Sequence, residues 1–408
     1  MKCRTAVILV CASFAFLALI GTAAPSVAKH KHHGHHHGTV GAVYFETNSP
    51  GHNYIQVLFR KSNGQLRTGP AVDTGGAGTN LASPFAQYGF ALLDSANSVV
   101  LSNDGRFLFA VNAGDDSVSS FRVHPHGKIT LASHVSSGGD LPVSVATVKK
   151  GKYQLVYVVN EWSGTIQGYT VGGDGKLHAL AGSNRTLATG IHGAAAMIGF
   201  DSTGKQLTVS ERGAIFDPVA LNLIGSGPDL IDTFKIGGNG LPGAEVANPS
   251  VGEDPYGFIY TNNNKLFMTD SGVVGTVTTY SLNTGNGHVA MLDHKAAGGS
   301  APCWVVLSKD EKHAWVTNSL TANISSFTLG ANGSLTLNGV FPTTNNSALD
   351  EGASRDGRYL YVISTFVAGT VFQSTLVDIY RTAPDGSLTH IGHTNTLPWP
   401  GASGLAAS

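Results

Sequence analysis

The sequence predicts an all-β chain, a seven-bladed β-propeller whose ring is closed by pairing the N- and C-terminal segments within one blade. Three observations carry that expectation. Charged residues are 12% of the chain, against roughly 25% in ordinary globular domains, while Gly, Val, Thr, Ser and Phe abound, as in short strands joined by tight turns. "LSNDGRFLFAVNAGDDSVSSFRV" at 101–123 is matched without a gap by "LSKDEKHAWVTNSLTANISSFTL" at 307–329. Finally, each end of the chain holds what the other lacks.

The repeating unit reads as an apolar stretch, a Ser-x-Asp-Gly-like turn, an alternating strand ending near Asn, a polar loop, a second strand, a glycine turn and a closing strand. Period-two alternation between such turns is the pattern of a four-stranded antiparallel meander. The same pattern recurs in "TVKKGKYQLVYVVNEWSGTIQGYTVGGDGKLHAL" (147–180) and in "IGFDSTGKQLTVSERG" (198–213), whose partner strand resumes at 230 after an insertion. It appears again in "YGFIYTNNNKLFMTDSGVVGTVTTYSL" (256–282) and in residues 352–391. Complete units therefore begin near 96, 142, 194, 255, 302 and 348.

A seventh unit is split. Residues 41–69 supply second, third and fourth strands, and "PGASGLAAS" at 400–408 supplies a first strand with nothing after it. One such unit cannot bury both of its faces, so a ring of neighbours is required.

Outside the repeats, Lys2 and Arg4, an apolar run from Ala6 to Ile20 and "SVA" at 26–28 read as a signal peptide over residues 1–28. That run is shorter than a membrane span, and no later stretch approaches one. A secreted or periplasmic protein is expected, without a membrane span. Cys3 and Cys11 fall in the leader, leaving Cys303 alone and no internal disulfide; its apolar "WVVLS" context reads as a buried structural thiol. Without Lys2 and Arg4 the chain holds 23 basic and 26 acidic residues, which gives no electrostatic case for nucleic acid.

Residues 29–38, "KHKHHGHHHG", form a His-rich tail before a single propeller domain at 39–408. His30, His32, His33, His35, His36 and His37 can chelate a divalent metal, the alternative being a disordered polar tail. A ring closed by its own ends needs no partner to fold, so a monomer is expected.

The segments "LSNDGRFLFAVN", "SRDGRYLYVIS", "GGAGTN", "GGDLPVSVA", "APCWVVLS" and "APDGSLT" resemble the seven-bladed lactonase family, which groups bacterial 6-phosphogluconolactonase with fungal carboxymuconate-lactonising enzyme. The resemblance runs from about Val40 to Ser408 and implies lactone hydrolysis, with His, Glu and Arg around the channel. It also implies a His-x-His pair on the first strand of the fourth blade, where this chain has Ala194 and Ala196.

In a propeller, the loops between second and third strands and those between blades emerge on one face. There this chain places Asp115, Asp116, Glu161, Trp162, Glu211, Arg212, Asp270, His192, Glu253, Asp254, Cys303, Trp304, Asp350 and Glu351. Lactone hydrolysis requires a base to activate water and a donor for the oxyanion. Glu211 is expected as base with Arg212 as oxyanion holder, provided the strand has ended before them, because neighbours on a strand face opposite ways. His192 is a second base, with Glu161 orienting it. Trp162, Trp304, Glu253 and Asp254 are expected to bind substrate. No cofactor is required, although Asp115, Asp116, Glu253 and Asp254 offer oxygen ligands for Ca²⁺ in the channel mouth. The ligand is expected to be a sugar or aromatic-degradation lactone. The alternative is a non-catalytic propeller that binds a protein partner or ligand through its loop face, including residues 214–228.

Overall fold

The computed structural model describes residues 38–408 except 80–92, 94, 152, 191–192, 218–221, 273 and 369–370. Seven antiparallel sheets carry the chain. In the first blade β1 (Thr39–Glu46), β2 (Tyr54–Lys61) and β3 (Leu66–Asp73) follow the innermost strand β29 (Ser403–Ala407). The second blade is β4 (Val99–Leu101), β5 (Phe107–Asn112), β6 (Ser117–Val123) and β7 (Ile129–Ser136). In the third, β8 (Pro142–Lys150), β9 (Tyr153–Asn160), β10 (Thr165–Val171) and β11 (Leu177–Ala179) are joined by β12 (Arg185–Thr186), which also pairs with β10.

The fourth blade is β13 (Ala195–Phe200), β14 (Gln206–Asp217), β15 (Asn222–Ile236) and β16 (Pro242–Pro249). The fifth is β17 (Pro255–Tyr260), β18 (Lys265–Asp270), β19 (Thr276–Leu282) and β20 (Val289–Ala296). β21 (Pro302–Leu307), β22 (His313–Asn318), β23 (Asn323–Leu329) and β24 (Leu335–Pro342) make the sixth; β25 (Ser347–Ala353), β26 (Tyr359–Ala368), β27 (Val371–Thr382) and β28 (Leu388–His393) make the seventh. Each innermost strand packs on the next, β29, β4, β8, β13, β17, β21, β25 and back to β29, so the ring is closed.

Burial explains the composition of each layer. Second strands such as β5 "FLFAVN" and β22 "HAWVTN" are buried at every position, because neighbouring blades cover both of their faces. Outermost strands such as β7 and β24 alternate toward solvent and carry the exposed Leu131, Leu337 and Val340. Among the described residues no helix is long and apolar enough to cross a membrane.

Two local features shape the functional face. Leu141, Ala194, Asp254 and Ala301 have φ of 56°, 46°, 58° and 53°, each just before an innermost strand. The left-handed residue turns the chain from the interblade loop into the channel wall, and its recurrence in four blades makes it part of the architecture. The insertion at 214–228 extends the fourth blade as a backbone hairpin, with Ala214 opposite Ser226 and Asp217 opposite Asn222. By sequence this stretch reads as an insertion between the two strands, whereas both strands continue into it.

Gly164, after the second strand of the third blade, has φ +56°, and a Cβ there would lie 1.9 Å from the carbonyl oxygen of Gly190. The neighbour is backbone and cannot rotate away. Gly164→Ala is expected to destabilise the protein by about 2 kcal/mol or more, combining the left-handed penalty with the clash; an unchanged urea midpoint would contradict this.

Candidate functional site

Strand β14 does not end at residue 211, so Glu211 and Arg212 face opposite sides of the sheet. Arg212 turns to the channel mouth. Its Nη2 donates to Glu161 Oε1 at 3.0 Å, its Nε donates to the Ala194 carbonyl at 3.1 Å, and Nε lies 4.0 Å from Asp254 Oδ1. The guanidinium also sits over the Tyr256 ring, 5.4 Å from its centroid. Exposure differs across the group: the side chains of Arg212 and Glu161 are 10% and 4% accessible, that of Asp254 35%. Asp254 is fixed from two sides, since Ser271 Oγ donates to its Oδ2 at 2.7 Å and its backbone N–H donates to Asp229 Oδ1 at 3.2 Å. Among the described residues the mouth therefore holds a cation, Arg212, clamped by a buried carboxylate and facing a second carboxylate that solvent reaches. Guanidinium donors in such a sheltered place suit a carbonyl oxygen or carboxylate.

Glu211 points elsewhere. Thr189 Oγ1 donates to its Oε1 at 2.6 Å, and it is fully buried beside Asp232 and Glu245 of the same blade. Burial first, then the repulsion of neighbouring carboxylates, pushes Asp232 up to about 10, while burial pushes Glu211 up to about 7. Glu245 is raised as well, chiefly by burial, with the Ala188 N–H donating to it. Carboxyls this close share protons instead of all ionising. The expected pairing of Glu211 as base with Arg212 as oxyanion holder thus does not form: the strand continues into the hairpin, and alternation separates the two.

The remaining candidates divide as follows. His192 and the six histidines of the tail lie outside the described residues. Glu161 adjoins Arg212, as above. Trp162 is half-buried and packs against the core shared by the second, third and fourth blades. Trp304 is 6% exposed; its indole N–H donates to the Ser95 carbonyl at 2.9 Å and its ring meets Tyr256 edge-on at 5.6 Å, so it forms wall and leaves little face for a ligand. Glu253 is exposed on the loop before β17. Cys303 is buried, its thiol 3.3 Å from the Ala301 carbonyl.

Residues read as loop carboxylates prove to be structural in several places. Asp270 ends β18, fully buried, where Thr278 Oγ1 donates to it at 2.6 Å. Asp350 and Glu351 lie inside β25, each 3% exposed. Asp116 accepts the Leu141 N–H at 2.7 Å and ties the second blade to the third, while Asp115 accepts from Ser117 and meets His134 at 3.1 Å. Among the described residues no three His, Cys, Asp or Glu side chains gather so as to hold a metal ion.

Sequence reasoning missed Asp232 and Glu245, and missed residues 95–98, which reach Trp304. Asp232 had a signal: a carboxylate inside the apolar "LIDTF" is a buried charge that requires an explanation.

The sequence model of the family described as "Lactonase, 7-bladed beta-propeller" matches residues 53–156, 147–305 and 258–400. Among solved structures, one from Bacteroides fragilis described provisionally as a 6-phosphogluconolactonase is 19% identical with a TM-score of 0.65, covering 90% of this chain and 97% of that one. A periplasmic gluconolactonase of Pseudomonas aeruginosa is 17% identical with a TM-score of 0.63, covering 90% and 98%. A protein from Lactobacillus plantarum is 16% identical with a TM-score of 0.66, also covering 90% and 98%. At such identities the likeness is one of fold. No curated protein matches the chain in sequence. The family match spans nearly the whole propeller and agrees with its seven closed blades: this chain belongs to the seven-bladed β-propeller lactonase family.

Proposed function

We propose that the protein is an exported hydrolase of small lactones, of the sugar or aromatic-degradation type, working at the channel mouth around Arg212. The observation that supports this most is the clamped guanidinium: Glu161 holds Arg212 at 3.0 Å while Asp254, 4.0 Å away, remains open to water. Arg212 binds the lactone carbonyl and receives the charge that develops on its oxygen. Asp254 takes a proton from water as that water attacks the carbonyl carbon. The ring C–O bond then breaks, the ring oxygen takes the proton, and the hydroxy acid ionises. Glu161 is a positioning residue in this scheme.

The test is proton release by the purified mature protein with a panel of sugar and aromatic lactones. Arg212→Met and Asp254→Asn are each expected to lower kcat about 100-fold or more, whereas Glu211→Gln, on the opposite face of β14 from the guanidinium, leaves it within about threefold. Loss with Glu211→Gln but not with Asp254→Asn would move the base back to Glu211. Export is proposed from the leader-like residues 1–28; a full-length product recovered only in the cytoplasm would refute it.

A second reading has its own support in the alanines at 194 and 196 and in the long hairpin of the fourth blade. On that reading the propeller binds a ligand or protein through its loop face without catalysis. No lactone hydrolysed above the spontaneous rate, together with binding lost on hairpin deletion, would favour it.

A further inference from the structure

We propose that residues 95–98 are a fixed stopper across the propeller channel, a floor that confines any ligand to the rim around Arg212. The stretch precedes β4 and is anchored to four blades. Its Ser95 carbonyl accepts Trp304 Nε1–H of the sixth blade at 2.9 Å, and Ser95 Oγ donates to the Val143 carbonyl of the third. The Ala96 N–H donates to the Ala196 carbonyl of the fourth blade at 3.2 Å. The Asn97 carbonyl accepts the Val145 N–H at 3.0 Å, and the Ser98 carbonyl accepts the Val111 N–H of the second blade at 3.1 Å.

Val143, Val145, Ala196 and Trp304 all belong to innermost strands, so a segment that bonds to three of these strands lies across the axis. Ser95, Ala96 and Ser98 are 0%, 2% and 0% exposed, and Ala96 sits in one apolar cluster with Ala196, Tyr256, Cys303 and Trp304. The residue types suit the place. Small, uncharged side chains let the backbone approach the opposing walls, and Asn97, with φ +63°, takes the left-handed turn that asparagine tolerates. Ala196 contributes its carbonyl to the segment where a larger side chain would compete with Ala96 for space.

A segment whose backbone groups are satisfied by separate blades is held as firmly as the blades themselves. For the activity proposed above, on which this part of the inference rests, the consequence is a specificity rule. A ligand held at Arg212, beside Glu161 and Asp254, would have the stopper beneath it, so that a lactone with a long alkyl tail has no channel into which to thread it.

The experiment uses the full mature chain, with Cys303 as reporter because it shares the cluster with Ala96. Two readouts are independent of activity: the rate of labelling of Cys303 by a thiol reagent, and hydrogen exchange at the Ala96 and Val145 amides. A fixed stopper gives native labelling about 100-fold or more slower than in denaturant, with both amides exchanging as slowly as core strands. Trp304→Phe, which removes the donor to Ser95 and keeps an aromatic ring, is expected to speed labelling about tenfold, the factor that one hydrogen bond commonly represents. Unprotected amides, or native labelling as fast as in denaturant, would overturn the proposal even if the variant misfolds. Turnover is then compared over lactones of increasing tail length. Wild type is expected to lose activity as the tail grows, and equal turnover of short and long tails would overturn the specificity rule. If no lactone is turned over, the hydrolase reading fails while labelling and exchange still decide the stopper.

Discussion

Removing residues 403–408 is expected to leave a chain that no longer folds into a closed ring, seen as loss of the cooperative thermal transition and as self-association on a sizing column. Strand β29 is the innermost strand of the first blade, with Tyr44 opposite Ala406 and Glu46 opposite Ser403. Ser408 closes the seam further: its N–H donates to the Ala42 carbonyl at 2.9 Å, its Oγ accepts the Ala42 N–H at 2.8 Å, and its carbonyl oxygen accepts Arg60 Nε–H at 3.0 Å. Truncation exposes the edge of β1, a hydrophobic strand ready to pair with another chain. It also removes Leu405 from the core, worth about 2 kcal/mol by burial alone. Lost hydrogen bonds add to this cost. The backbone amides of Gly404 and Leu405 donate to Asp350, a fully buried carboxyl that would lose them. A truncated protein with an unchanged melting temperature would show that the seam is dispensable.

Stability is expected to be greatest in mild acid and to decline as the pH rises from about 5 to about 9, the reverse of a protein held by paired carboxylates. Burial raises Glu46 to about 8, Asp350 to about 8, Glu211 to about 7, Asp270 to about 7 and Asp232 to about 10, and drives Glu351 well above its ordinary range. In the unfolded chain these groups titrate near 4. Between about pH 4 and 8 the folded state therefore holds more protons than the unfolded one, and the unfolding free energy falls as pH rises. Their stabilisation is complete below about pH 4 and is lost as pH passes through 7 and 8. Asp104, Asp293 and Asp310 are lowered by hydrogen bonds and nearby cations, and they oppose this trend only in stronger acid.

Asp232→Asn isolates one contribution. An amide keeps the size and the donor toward Glu211 but has no charge to bury, so the variant is expected to melt above wild type at pH 8.5 and close to it at pH 5. The total effect over this range is on the order of several kcal/mol, since each pH unit between folded and unfolded values represents about 1.4 kcal/mol per group. Thermal unfolding followed by circular dichroism from pH 5 to 9 is the measurement. A wild-type melting temperature that climbs over that interval would refute the argument.

How much of this was legible in advance can be judged element by element. The blades were, because each is a local pattern: turn, alternating strand, turn, strand. Units expected to begin near 142, 255, 302 and 348 have innermost strands starting at Pro142, Pro255, Pro302 and Ser347. Closure was legible because residues 41–69 lacked a first strand and residues 400–408 supplied one. Alternation even held the warning about Glu211 and Arg212. What it did not reveal was that β14 continues to Asp217, since "AIFD" and "NLIG" each have apolar strand character but residues 218–221 between them carry no glycine signal.

The site was less legible. Asp350 and Glu351 looked like polar loop residues, and only the packing of β25 between its neighbours makes them buried acids. Trp304 looked like a stacking platform until Ser95, 209 positions away in sequence, took its N–H. By itself, the sequence determined the strand grammar, the number of blades and the way the ends meet, because those follow from turn chemistry and period-two patterning over short stretches. Only the tertiary structure decided which carboxylates face water, which cation they clamp and what fills the channel, because burial and long-range hydrogen bonds arise only when seven blades are brought around one axis.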